Sequence, residues 1–258
     1  MNRKCMIIVL GALAGVFSIG LPCESAASFY TGQGAAKPFR AFEDDRGGFY
    51  VTWADIAMGQ AWALRAQHLD SAGHALWDSS GILVSSTVSS MEDWSGLADG
   101  RGGLTLFWDE RNGVHAQRFL SDGQRLRPGN SVLMSTSTAI QPDAVPDALG
   151  GTLVVWREGL ASGRSVVMAQ RMDPEGRPVW PKGGLRVSLR TSNQTNPRVV
   201  YDNMSGMIVA WRDEANGASE LRVQRIDFSG NRLWSLEGLK ITAPTGAADL
   251  PTDRKSVV

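Results

Sequence analysis

The chain of 258 residues is poor in cysteine and carries no formal net charge. Its two cysteines, Cys5 and Cys23, lie near the N-terminus. This excludes a disulfide framework, a zinc ribbon and a cysteine nucleophile from the main body. Lysine and arginine together number 26, as do aspartate and glutamate. A neutral chain has no electrostatic reason to bind nucleic acid or an anionic membrane surface, so we expect neither as a partner.

Motifs of common hydrolytic, nucleotide-binding and metal sites are also missing. The sequence contains no Gly-x-Ser-x-Gly elbow, no glycine-rich phosphate loop and no Asp-x-Asp-x-Asp-Gly calcium loop. Its three histidines, His68, His74 and His115, do not have the spacing of metal ligands. We therefore expect no cofactor and no metal site.

The N-terminus has the pattern of a secretory signal peptide. A basic start, Asn2 to Lys4, precedes the uncharged stretch from Cys5 to Pro22, and small residues follow. We predict cleavage after Ala27, with a linker over residues 28–37. The mature chain is then secreted, periplasmic or at the cell surface, with no membrane-spanning segment. The alternatives are a lipoprotein attached through Cys23 and an uncleaved anchor.

Four segments of the remaining chain repeat one pattern. Each has an aspartate, a tryptophan nine positions later and an acidic residue two positions after that. These are Asp44, Asp99, Asp147 and Asp202; Trp53, Trp108, Trp156 and Trp211; and Asp55, Glu110, Glu158 and Asp213. A glutamine, a glycine and, in three repeats, a second tryptophan follow. These are Gln67, Gln117, Gln170 and Gln224; Gly73, Gly123, Gly176 and Gly230; and Trp77, Trp180 and Trp234, with Arg127 in the second repeat.

The repeat predicts an all-β fold. Alternation such as Phe49, Val51 and Trp53 is typical of a half-buried strand, and the Asp-x-x-Gly segments are typical of hairpin turns. We expect the second tryptophan of a repeat and the residue before it, such as Leu76-Trp77, to lie on a further short strand. Each repeat of about 50 residues then supplies about four antiparallel strands, the number expected of a β-propeller blade. The chain is therefore predicted to be a β-propeller-like array of four-stranded antiparallel blades.

Blades are taken to start at the proline or tryptophan that precedes each repeated aspartate. This places the blades at residues 38–93, 94–141, 142–196 and 197–250. Residues 251–258 are then the start of a fifth repeat followed by a non-native tail. We expect the native protein to be longer, with further blades, and a four-bladed protein with a ragged tail is the alternative.

The segment Asp-x-x-Gly-Gly-x-x-Val-x-Trp, followed by Ala-Gln-Arg-x-Asp-x-x-Gly-x-x-x-Trp, resembles the tandem repeat of secreted bacterial propeller-like proteins. The stretch from Ala169 to Trp180 carries the resemblance most fully. It extends from Pro38 to Thr252 and implies the fold, but it implies no particular activity.

The chemically prominent residues mostly recur from repeat to repeat, which favours structural roles. The seven repeated tryptophans are interpreted as core between blades and the four repeated glycines as turn residues. We expect Glu110, Glu158 and Asp213 to pair with the recurring arginines Arg118, Arg171 and Arg225. Trp62 lies outside the repeat positions, near a junction of loop and strand, and is the candidate for ligand contact. Its alternation with Leu64 and Ala66 also fits a buried strand face.

Because no catalytic constellation is recognisable, the main interpretation is a non-catalytic extracellular propeller that binds a protein or a surface polymer. One alternative is a carbohydrate-binding or sialidase-like glycan-active propeller, and another is a structural spacer of a longer surface protein. The repeated turns resemble the Asp-box of sialidases, although each gap is one residue longer. The arginine cluster and the Tyr/Glu pair of sialidases cannot be assigned, with Tyr30, Tyr50 and Tyr201 as the only tyrosines.

Overall fold

The computed structural model describes residues 39–56, 62–87, 93–127, 129, 131–215 and 217–241. The expected signal peptide, linker and C-terminal tail lie outside these residues, as do Cys23 and Ala27. Among the described residues, no helix is long and apolar enough to cross a membrane.

Sixteen strands are present in the described part of the chain. The first eight are β1 (Phe39–Glu43), β2 (Phe49–Ile56), β3 (Trp62–Leu69), β4 (Ile82–Thr87), β5 (Trp94–Ala98), β6 (Leu104–Glu110), β7 (Gly113–Phe119) and β8 (Val132–Leu133). The other eight are β9 (Ala139–Pro146), β10 (Thr152–Gly159), β11 (Ser165–Met172), β12 (Leu185–Arg186), β13 (Asn193–Tyr201), β14 (Gly206–Ala215), β15 (Ala218–Asp227) and β16 (Leu239–Lys240).

These strands form four four-stranded sheets in which neighbours follow chain order: β1 to β4, β5 to β8, β9 to β12 and β13 to β16. Consecutive strands pair antiparallel, as in the ten-residue ladder that joins β14 to β15. The predicted all-β array of four-stranded antiparallel blades is confirmed.

The chain divides into two compact units. The first holds the described residues within Met1–Met91, Leu97–Thr105 and Phe119–Arg125. The second holds those within Glu92–Gly96, Leu106–Arg118 and Leu126–Val258.

The fourth strand of each sheet differs from the prediction. The dipeptides Leu76-Trp77, Val179-Trp180 and Leu233-Trp234 lie in the connection before that strand rather than on it. The reason is that the backbone N–H of each tryptophan is bonded to a side chain instead of a neighbouring strand. In the third sheet, Trp180 N donates to Oε1 of Gln170 at 2.9 Å, and Nε2 of Gln170 donates to the carbonyls of Trp180 and Pro181. The repeated glutamine therefore ties the connection to its sheet.

The repeated aspartate closes the turn between the first and second strands of a sheet. Oδ1 of Asp147 accepts the N–H groups of Leu149 and Gly151, both at 2.8 Å. Asp44, Asp99 and Asp202 make the same contacts in their own turns. A Cβ atom at Gly151 would lie 2.6 Å from Oδ2 of Asp147 and would clash with the carbonyl of Met172. This close approach explains why glycine stands there.

The arginine partners expected from the sequence are wrong for Arg171 and Arg225. Arg171 pairs with the turn aspartate Asp147, and Arg225 pairs likewise with Asp202. Register is the reason: on β10, Leu153 lies opposite Arg171, whereas Glu158 lies opposite Val166. Five residues of strand separate these two positions by about 17 Å. In the second sheet, Arg118 donates to the carbonyls of Gly150 and Pro174.

The repeated acids instead accept the indole N–H of the tryptophan two residues before them. Trp108 donates to Glu110 at 2.7 Å, Trp156 to Glu158 at 2.8 Å and Trp211 to Asp213 at 3.3 Å. All three tryptophans are almost fully buried. A buried donor without a partner is costly, so these acids satisfy the core tryptophans.

In the second unit, a hydrophobic core lies between the third and fourth sheets. Trp180 and Val155 from the third sheet pack there with Val209 and Trp211 from the fourth. Nε1 of Trp180 also donates to the carbonyl of Phe228, in the turn after β15, at 3.0 Å. Apolar packing and a hydrogen bond thus join the two sheets.

Candidate functional site

The candidate site lies at one end of the sheets in the second unit. In an antiparallel sheet of consecutive strands, the hairpin between the second and third strands lies at the same end as the connection that leaves the fourth. We call this the crossover end. In the second unit it carries the hairpin before Ser165, the connection of residues 187–192 and the hairpin between β14 and β15.

These segments line a cleft of about 430 Å³, a volume within the range of small-molecule sites. Its lining residues are Arg164, Leu189, Arg190, Thr191, Ser192, Asn193, Glu214, Ala215 and Glu237. Most of them are polar, and they include two arginines and two glutamates. The cleft therefore offers both donors and acceptors to a ligand without a large net charge.

Arg190 is held in place by two carboxylates. Its Nε lies 3.2 Å from Oδ1 of Asp213, which is fully buried, and its NH1 lies 3.0 Å from Oε2 of Glu237. Burial opposes the charged form of Arg190, but Asp213 and Glu237 outweigh it and raise the pKa of the guanidinium. Arg190 is thus a fixed cation in the wall of the cleft.

Glu214 and Asn193 form the second polar group of the cleft. Nδ2 of Asn193 donates to Oε2 of Glu214 at 3.0 Å, and Arg212 lies 3.1 Å from the other carboxylate oxygen. The side chains of Glu214 and Glu237 remain 39% and 58% exposed, so a ligand can reach both carboxylates.

Two further side chains complete the polar lining. Arg164 donates from NH1 to the carbonyl of Thr191 at 2.7 Å. The hydroxyl of Ser192 is enclosed and has no hydrogen-bond partner among the described residues.

The residues singled out in the sequence lie elsewhere. Trp62 is the first residue of β3, half-buried, and pairs in register with Ile56 and Thr87. It belongs to the first unit, and its contact with a ligand stays a prediction. His68 lies against the turn aspartate, with Nε2 2.8 Å from Oδ2 of Asp44, in the place that arginine takes in two other sheets.

Sequence reasoning missed Arg190, Asn193, Glu214 and Glu237. The repeat pattern draws attention to residues that recur. Because Glu110, Glu158 and Asp213 recur, acidic residues were interpreted as structural. A signal was present, since Arg190 and Asn193 belong to the segment that joins two repeats, and ligand-binding residues concentrate on connections.

A second cavity, of about 230 Å³, has a structural explanation. Arg118, Arg127, Glu175 and Gly176 are among its lining residues. Arg127 occupies the repeat position at which Trp77, Trp180 and Trp234 stand in the other sheets. The equivalent Trp77 packs its ring against Gly123 of the following turn, so the loss of the indole in the second sheet leaves a space.

No family model matches the sequence, and no curated protein matches it either. Solved structures share the fold at low similarity. They include an α-L-arabinanase from Cellvibrio cellulosa complexed with arabinohexaose, at 13% identity and a TM-score of 0.40 over 74% of this chain and 75% of that one. An exo-β-1,3-galactanase from Bifidobacterium bifidum matches at 10% identity and 0.44 over 83% and 76%. An endo-1,4-β-xylanase from Bacteroides thetaiotaomicron matches at 8% and 0.43 over 80% and 72%.

These comparisons correct the main functional interpretation of the sequence. The sequence favoured a non-catalytic extracellular propeller that binds a protein or a surface polymer, whereas the solved structures found are named as enzymes that act on glycans. At this level of similarity no residue role is transferred from those enzymes to this chain.

Proposed function

We propose that the protein is a glycan-active propeller that binds a carbohydrate chain in the cleft at the crossover end of its second unit. The observation that carries the proposal is the fixed polar lining, in which Arg190, Asn193, Glu214 and Glu237 face one space of about 430 Å³. Sugar hydroxyls both donate and accept hydrogen bonds. A wall in which guanidinium and amide donors alternate with carboxylate acceptors is complementary to such a ligand.

The fixed geometry of the wall supports binding of a defined ligand. Arg190 is held by Asp213 and Glu237, and Asn193 is held by Glu214. Side chains that are already ordered lose little conformational entropy when a ligand binds. The balance of two arginines and two glutamates favours a neutral glycan over a polyanionic one.

Isothermal titration with oligosaccharides of arabinan, xylan and β-1,3-galactan tests this proposal. For a glycan that binds, we expect Glu237→Gln and Asn193→Ala each to weaken binding about tenfold, the effect of about one lost hydrogen bond. Arg177→Gln is the matched control, because Arg177 pairs with Asp173 and Glu175 on an exposed turn outside the cleft. Equal affinity of all variants would contradict the proposed location, and the absence of binding would contradict the proposal itself.

Glycoside hydrolysis is a second candidate, favoured by the presence of two accessible carboxylates, Glu214 and Glu237, in the same cleft. Most glycosidases use such a pair, one as acid and one as base or nucleophile. In an assay of reducing-sugar release, we expect Glu214→Gln and Glu237→Gln each to lower the rate about 100-fold or more. Unchanged release by both variants would exclude this pair.

Export, and membership in the secreted tandem-repeat proteins, are part of the same proposal, since polysaccharide substrates lie outside the cell. The support is the N-terminal signal pattern and the repeat itself. Expression of the full chain in a bacterial host, followed by mass spectrometry of the exported protein, is expected to give an N-terminus at Ser28. An uncleaved N-terminus or lipid attachment at Cys23 would contradict the predicted cleavage.

A further inference from the structure

The second repeat departs from the other three at three positions that the structure brings together. Fourteen residues after the repeated glutamine it has Ser131, where the other repeats have Gly81, Gly184 and Gly238. Two residues before the glutamine it has His115 in place of Arg65, Met168 and Arg222. Five residues before the glutamine it has Asn112 in place of Trp62, Ser165 and Ser219.

Strand register shows that these positions are equivalent. The residue after Ser131, Val132, lies opposite Ala116. In the same way, the residue after each of the three glycines lies opposite the residue before the repeated glutamine. The comparison between repeats is therefore a comparison of like places in four sheets.

The other repeats leave no room for a side chain at this position. A Cβ atom would lie 2.6 Å from the ring of Trp53 at Gly81 and 2.8 Å from the ring of Trp156 at Gly184. It would clash with Trp211 at Gly238. Packing against the tryptophan of the second strand therefore requires glycine at this position in three sheets. Ser131 departs from that requirement and adds a hydroxyl that the other repeats lack.

The three unusual residues form one chain of hydrogen bonds. Oγ of Ser131 lies 2.7 Å from Nδ1 of His115, and Nε2 of His115 lies 2.8 Å from Oδ1 of Asn112. An amide oxygen only accepts, so Nε2 carries the proton. Nδ1 is then a lone-pair acceptor for the hydroxyl hydrogen of Ser131.

The surroundings of His115 suit a general base. Its ring stacks on Trp108, with centroids 5.9 Å apart, and Nε2 lies 3.9 Å from Oε2 of Glu110. Burial lowers the pKa of His115 and the Glu110 carboxylate partly opposes this, so the imidazole is neutral near pH 7. Ser131 itself is half-buried and retains access to solvent.

We propose that Ser131, His115 and Asn112 form a nucleophilic site for the hydrolysis of acyl esters. Nucleophile, base and orienting group are each within hydrogen-bonding distance of the next, which is the requirement for serine-based acyl transfer. The site is separate from the cleft at the crossover end and does not depend on glycan binding there.

The reaction balances with these groups and water alone. Ser131 Oγ bonds to the acyl carbon while Nδ1 of His115 takes the hydroxyl proton, and Glu110 stabilises the resulting imidazolium. The leaving alcohol takes that proton as its bond to the acyl carbon breaks. Water, deprotonated by His115, then attacks the acyl-serine and releases the carboxylic acid, and the proton returns to Ser131.

The sister repeats supply variants that suit the fold. Ser131→Gly, His115→Met and Asn112→Ser each install the residue that another repeat carries at the same place. The measurements are hydrolysis of p-nitrophenyl acetate and covalent labelling by a fluorophosphonate, with the labelled residue identified by peptide mass spectrometry. Circular dichroism checks that each variant is folded.

We expect the label on Ser131, no label in the Ser131→Gly variant, and a rate lowered about 100-fold or more by His115→Met. Asn112 is a positioning residue, so Asn112→Ser is expected to lower kcat with little change in KM, and Asn112→Asp, which keeps the acceptor, to restore it in part. The proposal would be overturned by a label found only on other serines. It would also be overturned if His115→Met left the rate of ester hydrolysis unchanged.

Discussion

Nε and NH2 of Arg171 each lie 2.9 Å from the same oxygen, Oδ2 of Asp147. The other carboxylate oxygen of Asp147 accepts two backbone N–H groups of its own turn. One buried carboxylate therefore joins the turn before β10 to the strand β11. Asp202 and Arg225 repeat this link in the fourth sheet, so the pair is a unit of the repeat and a determinant of blade stability.

Removal of this carboxylate is expected to destabilise the protein strongly. Asp147→Ala leaves two turn N–H groups and the partly buried Arg171 without their acceptor, at a cost of about 3 kcal/mol. Urea denaturation measures the change in the free energy of unfolding. Arg177→Gln, which removes an exposed pair with Asp173, is the control and is expected to change it by about 0.5 kcal/mol or less. Equal effects of the two variants would contradict the assigned role.

The bond between Trp156 and Glu158 gives a second prediction. Glu158→Gln keeps an acceptor for the indole N–H, so we expect a small change in stability. Glu158→Leu removes the acceptor of the fully buried Trp156 N–H and of the Thr136 and Ser137 hydroxyls and is expected to cost about 2 kcal/mol. The comparison requires only the urea midpoints of the two variants. If the leucine variant is as stable as the glutamine variant, the indole bond does not contribute.

Two glycines with the same φ separate steric contact from backbone strain. Gly184 and Gly163 both have φ +77°, but a Cβ atom at Gly184 would clash with the carbonyl of Ala169 and meet Trp156 at 2.8 Å, whereas nothing lies within 4 Å at Gly163. Gly163→Ala is expected to cost about 1 kcal/mol from strain alone. We expect Gly184→Ala to cost at least 2 kcal/mol more, since the added methyl group overpacks the core. Similar thermal midpoints would show that the indole of Trp156 and the carbonyl of Ala169 both move aside freely.

Acid sensitivity follows from the turn aspartates. Burial raises the pKa of Asp202, but the N–H groups of Met204 and Gly206 and the guanidinium of Arg225 outweigh it, so the pKa lies below its ordinary value of 3.8. Because the pKa is lower in the folded state, the ionised carboxylate stabilises the protein. This stabilisation is complete at pH values well above the unfolded-state pKa. This stabilisation is lost as the pH falls through that value towards the folded-state pKa.

We therefore expect the urea midpoint to fall between about pH 5 and pH 2. Asp202→Asn, which cannot ionise, is expected to be less stable at neutral pH and to show a shallower fall with acid. A variant whose midpoint falls as steeply as that of the wild type would contradict the contribution of Asp202.

The sequence predicted those features that recur. Trp156 and its equivalents mark the second strand of each sheet, and the Asp-x-x-Gly segments mark turns, because the same local physics acts in every repeat. The partner of Arg171 was mispredicted because an ion pair depends on the register of two strands, which residue spacing along one strand does not define.

The two candidate sites were missed for a different reason. Arg190 and Glu237 are 47 residues apart in the chain, and only the packing of the connection against the fourth sheet brings them together. Ser131 and His115 carry a signal in the sequence, since each breaks the repeat pattern. That signal becomes visible when the four repeats are compared for their differences instead of their agreements.

The most direct test of the proposed function is hydrogen–deuterium exchange of the full chain with and without arabinan, xylan and β-1,3-galactan oligosaccharides. Binding in the cleft at the crossover end predicts that a glycan slows exchange in residues 187–193 and 211–215. These segments contribute Arg190, Asn193 and Glu214 to the wall of the cleft. Protection confined to other segments, or no protection by any of the three glycans, would contradict the proposed site.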